Sequence, residues 1–434
     1  MINWVASILI WGIVAVSVLR VLGFGGVPFF KENKYIKWIW CKNKSYTSYT
    51  VGKKEFVKVF FCAMCFRIIV YIVSALALRM FMENDTSLDF SGFINKWLQW
   101  DGNNYTRIAT VGYNGFLVEG EPTMLVFFPF YSWLIKFCML LIKDVQIAAL
   151  VVSSICYGIG CCYFYGLVCM DYGKEIAKKA IVYLSVFPFA FFYGSMMPES
   201  CFFVLSASCF YYIRRHKWSL VALTGAMASI SRMQGILLML PAALEWIEYY
   251  KPFLLIRKKK WKELWKIFYS KALWIPAMAA GTLSYLYLNY VVSGDPFKFL
   301  QLQKTIWYQQ GQYFGEVLTG LFQRAFTMEH SGVGRVSIWI PEVFIFVLTV
   351  ILLIYAVRRH QSKYVLYLVA YTITNYSLSW LLSAGRYMSV ALPIFIFMAD
   401  FAQEHKWADK WITVVSSMLF GIYLIGYLMS LQIY

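Results

Sequence analysis

Met124-Leu125-Val126-Phe127-Phe128-Pro129-Phe130-Tyr131-Ser132-Trp133-Leu134-Ile135-Lys136-Phe137-Cys138-Met139-Leu140-Leu141-Ile142 is the stretch on which the threading of this chain turns. It is apolar enough to pass for a membrane crossing, yet Pro129 removes a backbone donor and breaks a helix running through it. The thirteen residues beyond the proline reach roughly 20 Å at about 1.5 Å each, short of a ~30 Å hydrocarbon core. On the C-terminal side, residues 145–170 are long enough to cross, and Lys174, Lys178 and Lys179 behind them favour the cytoplasm. If 124–142 crossed too, those lysines and Arg214-Arg215-His216-Lys217 would all face outward. The stretch is therefore expected to form a re-entrant or interfacial helix within a long outer loop, residues 83–144.

With 60% hydrophobic and 14% charged residues arranged in long apolar runs, the chain is expected to be all-α. It reads as a polytopic membrane protein, one integral-membrane domain over residues 1–434. Residues 1–23 have no basic segment ahead of the apolar run and no small-residue cleavage site, so they read as a retained first crossing. The formal net charge of +18 is concentrated in two loops and does not indicate nucleic acid. Residues 31–58 hold eight lysines against Glu32 and Glu55, and residues 250–271 hold eight Lys or Arg against Glu263. Such loops stay in the cytoplasm and can touch anionic membrane lipid. The ten cysteines, Cys41 among them, do not suggest a disulfide framework, and no spacing with His suggests zinc. No cofactor and no metal site is read from the sequence, which leaves metal dependence open.

This parity places the first basic loop between crossings at 3–23 and 58–82. The outer loop that follows is acidic, with Glu83, Asp85, Asp89, Asp101, Glu119 and Glu121 against Lys96 and Arg107. Beyond 145–170, crossings are expected at 177–193, 199–213, 218–231, 236–249 and 272–292. A second long outer loop, 293–335, leads to crossings at 336–357, 363–382, 387–403 and 411–431. That makes about twelve helices with both termini outside. No internal repeat is present, so an inverted-repeat transporter is not supported.

Against this apolar background, Trp100-Asp101-Gly102-Asn103-Asn104-Tyr105 is a polar island in the first outer loop. An acid beside an aromatic, then amides and a second aromatic, suits a hydroxylated substrate and the removal of its proton. Glu199, Arg232, Asp295 and Arg386 join it on the outer face from four further segments. Ionisable groups at membrane depth are costly and usually functional. Loops converging on one side describe a single extracytoplasmic site.

With those residues assembled, the chain resembles the GPI mannosyltransferase 2 (PIG-V) family and its bacterial relatives, members of the GT-C class of polyprenyl-phosphate-sugar glycosyltransferases. The likeness covers roughly residues 60–400. It rests on Trp100-Asp101…Ile108-Ala109…Gly112-Tyr113, Phe127-Phe128-Pro129-Phe130-Tyr131, Pro188…Ser195…Glu199-Ser200, Ser231-Arg232…Gly235, Gly294-Asp295-Pro296…Gln303…Trp307, and Arg386-Tyr387…Pro393. The resemblance implies a GT-C-like fold with juxtamembrane helices in the first outer loop. It also implies a polyprenyl-phosphate-linked sugar as donor, mannose by family default, and a hydroxyl acceptor. Asn103 and Asn104 stand where relatives often carry an acid or a His, which argues against an Asp-x-Asp metal site.

Each residue has two readings. Asp101 is the general base for the acceptor hydroxyl, or it caps a helix. Glu199 binds acceptor, or it stabilises the helix start after Pro198. Arg386 beside Tyr387 pairs with the lipid phosphate, or it snorkels to the interface; Arg232 is a second candidate. Trp100, Tyr105 and Trp307 stack on sugar, or they belong to an interfacial aromatic belt. Gln303 is a hydroxyl partner by resemblance alone, and His330 reads as a loop residue.

The leading expectation is an inverting glycosyltransferase on the outer face of a bacterial cytoplasmic membrane, or of the endoplasmic reticulum in a eukaryote. A rival is a transporter or flippase of a lipid-linked saccharide, which needs mid-span charges and access from both sides. A third reading is a catalytically inactive relative.

Overall fold

The computed structural model describes residues 2–27, 48–82, 89–118, 120–327 and 332–434. Cys41, Glu83, Asp85, Glu119 and His330 lie outside them. Among the described residues the chain is helical, apart from two isolated β-bridges, Val118 with Glu121 and Gly311 with Leu378. The first half runs α1 (Ile2–Phe24), α2 (Lys53–Phe81), α3 (Phe90–Lys96), α4 (Gly102–Val111), α5 (Pro129–Cys138), α6 (Val145–Tyr172), α7 (Lys174–Val186), α8 (Glu199–Arg214), α9 (Trp218–Ser231) and α10 (Met239–Tyr250). Then follow α11 (Pro252–Arg257), α12 (Trp261–Lys271), α13 (Ala280–Ser293), α14 (Lys298–Thr305), α15 (Phe314–Phe326), α16 (Gly332–Ala356), α17 (Ser362–Tyr376), α18 (Ala384–Ser389), α19 (Leu392–Glu404) and α20 (Lys406–Leu428).

Five of the described helices, α1, α2, α6, α16 and α20, are long and apolar enough to cross a membrane. They mark an integral membrane protein. The other expected crossings are shorter helices, some continuous, as at 199–213 and 218–231, and some broken into pieces, and proline explains several of the breaks. Pro188 forces Phe187 into an extended conformation (φ −54°, ψ 140°), which ends α7 at Val186. Residues 272–292 open as two one-turn helices, Ala272–Trp274 and Pro276–Ala279, where Pro276 lacks a backbone donor. Residues 387–403 divide between α18 and α19, with Pro393 in the first turn of α19. α5 starts on Pro129 and has ten residues, which gives it a length of roughly 15 Å, too short to cross.

α6 is the organising helix, packed along α8 and against α2 and α7. Its small residues let neighbours approach closely. A Cβ at Gly160 would lie 2.5 Å from the Phe203 ring of α8, and one at Gly158 would lie 2.7 Å from the Phe60 ring of α2. The outer side of α2 presents Ile68, Ile69, Ile72, Val73 and Leu76, each more than 50% exposed, an apolar face suited to hydrocarbon.

Buried charges interrupt the apolar pattern, among them two systems outside the site, Arg67 and a cluster around Lys363. Arg67, midway along α2, is 0% exposed and lies over the Tyr157 ring at 4.6 Å, with Nη2 donating to the Ala190 carbonyl at 3.4 Å. It is a mid-helix charge, although sequence had located the candidate charges at one face only. The second system ties helix ends together. Lys363 pairs with Glu245 at 2.9 Å and with Asp171 at 3.8 Å, Arg214 pairs with Asp171, and the Tyr364 hydroxyl donates to Asp171 at 2.7 Å. These residues close the C-terminal ends of α6, α8 and α10 onto the start of α17. α8 therefore runs from Glu199 at one pole to Arg214 at the other, and its sixteen residues span roughly 24 Å.

Candidate active site

At the Glu199 pole, α4 begins with Asp101 in the N-cap position, but the carboxylate accepts no bond from the helix it precedes. It turns instead to Arg386 in α18, whose Nη1 donates to Oδ2 at 2.7 Å. The capping reading of Asp101 is set aside by this geometry. Its other oxygen, Oδ1, has no hydrogen-bond partner among the described residues, and the side chain is 33% exposed.

Arg386 is shared. Its Nε donates to Glu199 Oε1 at 2.6 Å, and Arg232 Nη1 donates to the same oxygen at 3.1 Å. Glu199 is 0% exposed and is not part of the cavity lining, so it sits beneath the site and holds both arginines from below. It does not reach the cavity as a substrate ligand would. Both guanidinium groups face the Tyr387 ring, Arg232 at 4.7 Å and Arg386 at 5.3 Å, where a π face favours cations. A row of alternating charge thus runs Asp101, Arg386, Glu199, Arg232, drawn from four separate segments.

The row opens on a cavity of about 580 Å³. Its walls are aromatic, with Trp100, Tyr105, Phe127, Phe128, Trp307, Trp380 and Tyr387, and they carry the amides of Gln234, Gln303, Gln309 and Gln310. Burial, reinforced by the Asp101 carboxylate, pushes the Tyr105 phenol up from its ordinary value, so it stays neutral and can donate. The amides are fixed by their own bonds: Gln234 Nε2 donates to Asn375 Oδ1 at 2.9 Å, Gln309 Nε2 to the Trp380 carbonyl at 2.8 Å, and Gln303 Nε2 to Gln309 Oε1. One wall is a short backbone seam. Gln312 N donates to the Ser377 carbonyl at 2.7 Å and Ser379 N to the Gln310 carbonyl at 2.8 Å, which joins the chain after α14 to the chain before α18.

The lining includes strained backbone. Trp100 (φ 49°) and Leu382 (φ 54°), both in the lining, adopt left-handed backbone conformations, as does Tyr308 (φ 51°) between the lining residues Trp307 and Gln309. Bulky side chains there cost of order 1–3 kcal/mol each and persist where the surroundings impose them. Trp100 is held against Tyr434, ring centroids 4.3 Å apart.

Of the residues singled out from sequence, Trp100, Asp101, Tyr105, Arg232, Gln303, Trp307, Arg386 and Tyr387 meet at the cavity. Four others do not: Glu199 lies beneath it, and the remaining three stand elsewhere. Asn103 is exposed and Asn104 half-buried on α4, both outside the lining, because the helix turns them off the cavity-facing side. Asp295 organises the start of α14: Oδ1 accepts Phe297 N at 2.8 Å and Oδ2 accepts Gln301 Nε2 at 2.7 Å. Lys304, Gln234, Gln309 and Trp380 were not anticipated. The signal for Lys304 was available, since Leu300, Gln303, Lys304 and Trp307 repeat at helical spacing and all line the cavity.

Among the described residues no group of three His, Cys, Asp or Glu side chains is placed to hold a metal ion. The site offers a pinned carboxylate with one oxygen available, guanidinium groups beside it, and aromatic and amide walls. Such a set can bind a polyhydroxylated ring and accept a proton from it. The chain matches no protein-family model, no curated protein and no solved structure.

Proposed function

We propose that this protein is an inverting membrane glycosyltransferase that moves a sugar from a polyprenyl-phosphate-linked donor to a hydroxyl acceptor. The observation that carries the reading is the 2.7 Å pair of Asp101 and Arg386 at the wall of an aromatic and amide-lined cavity. The acceptor oxygen attacks the anomeric carbon as the bond from that carbon to the phosphate oxygen breaks. Asp101 takes the hydroxyl proton through Oδ1, and polyprenyl phosphate departs with the bonding pair. A single displacement inverts the anomeric centre. Arg386 orients the base through Nη1 while its Nε is anchored on Glu199, and its Nη2, which has no partner among the described residues, is offered to the phosphate. Glu199 acts as a positioning residue for both arginines.

The reading takes the cavity to face the non-cytoplasmic side of a bacterial cytoplasmic membrane, with about twelve segments threading the bilayer and α5 lying at its surface. The basic segments at 31–58 and 250–271 support that orientation. Mannose is the default sugar of the family the sequence resembles.

The decisive experiment incubates the purified protein in lipid with radiolabelled polyprenyl-phosphate sugars and candidate acceptors, and compares it with Asp101→Asn. Loss of a general base lowers the rate by about 10²–10⁴, so the variant should retain at most about 1% of wild-type transfer. Wild-type rates in the variant would remove Asp101 from the base role. Transbilayer movement of the donor without transfer would make the protein a carrier of lipid-linked saccharide instead.

A further inference from the structure

The buried charges of the site cancel one another. Asp101 and Glu199 contribute two negative charges and Arg232 and Arg386 two positive ones, all within 3.1 Å of a partner. A lipid phosphodiester adding a further negative charge beside this row finds hydrogen-bond donors there but no net positive field. One other cation lines the cavity, Lys304. Lys298 on the same helix pairs with Glu121 at 2.8 Å, whereas Lys304 has no carboxylate partner among the described residues.

The place of Lys304 also fits an amphipathic ligand. It shares the cavity-facing stripe of α14 with Leu300 and Gln303, and it is exposed. Leu300 and Met233, 51% and 43% exposed, mark the opening of the cavity with apolar surface. The opening therefore combines a free ammonium with hydrocarbon, while Gln234 and Gln309 are buried and Asp101 is half-buried.

We infer that Lys304 captures the donor's ionised phosphate at the cavity opening, ahead of its seating against Arg386, so that the attached sugar enters towards Asp101 and the lipid trails outward past Leu300 and Met233. The inference rests on the donor class proposed above. It assigns Lys304 the selection of a charged lipid phosphate over a neutral polyprenol.

The test measures binding of polyprenyl phosphate, polyprenol, phosphatidylglycerol and inorganic phosphate to the full-length protein in nanodiscs, for wild type, Lys304→Gln and Lys304→Arg. Wild type should prefer polyprenyl phosphate over polyprenol and phosphatidylglycerol. Lys304→Gln should weaken polyprenyl phosphate about tenfold and leave polyprenol unchanged, and Lys304→Arg should restore most of the loss. Unchanged binding by Lys304→Gln overturns this inference alone, as does an equal loss for polyprenol, which reports a distorted cavity. A wild type that binds polyprenyl phosphate no better than polyprenol or phosphatidylglycerol overturns the donor class itself. Binding of inorganic phosphate as tight as that of the lipid overturns the role of the apolar opening.

Discussion

Glu199 shows how much one buried carboxylate can carry. It touches two guanidinium groups through a single oxygen and has no exposure at all. Removing one partner from a buried ionic set costs about 3–5 kcal/mol because the remaining charge is stranded. Glu199→Gln should therefore lower thermal stability in detergent sharply. It should also reduce kcat while leaving the acceptor KM near wild type. If Glu199 bound acceptor directly, the acceptor KM would rise and stability would hold. At this scale the sequence was informative for a physical reason. Polar side chains at the ends of apolar runs are costly, so Asp101, Arg232 and Arg386 stood out by type. Asn103 and Asn104 stood out equally, because residue type does not reveal which way a ten-residue helix is rotated. Gln234, Gln309 and Trp380 were hidden because amides and tryptophans are ordinary in such a chain, and only tertiary contacts bring them to the cavity.

α14 is the element that delivers Gln303, Lys304 and Trp307 to one wall, and Asp295 fastens its first turn. Asp295→Ala should cost about 1 kcal/mol of local stability. If α14 presents the donor side of the cavity, as proposed, the donor KM should rise a few-fold at nearly constant kcat, measurable by initial rates over a donor series. A collapse of kcat would mean that Asp295 takes part in the chemistry. Helix type and order were legible along most of the chain from apolar run length. Where runs were interrupted the outcome was less legible: Pro129 was recognised as a break, whereas Pro188 and Pro276 also divide expected crossings. Whether a proline ends a helix or merely bends it depends on how neighbours satisfy the freed carbonyl, and that information lies in the fold.

The molecule as a whole holds two ionic systems at opposite ends of α8, one at the cavity and one around Lys363. Their separation makes them distinguishable by mutation. Lys363→Met leaves Glu245 with His216 alone, while Asp171 keeps Arg214 and Tyr364, and should destabilise the protein by about 3 kcal/mol, with donor and acceptor KM unchanged; a shifted KM would reveal communication between the poles. The backbone seam of residues 310–312 with 377–379 has a mechanical consequence. It is a tether: under the proposed function, a sugar that draws Trp307 inward pulls on the segment that ends in Arg386. Loading and arming then become one stroke, so a non-transferable donor analogue should slow amide hydrogen exchange across 384–389 before any acceptor has arrived.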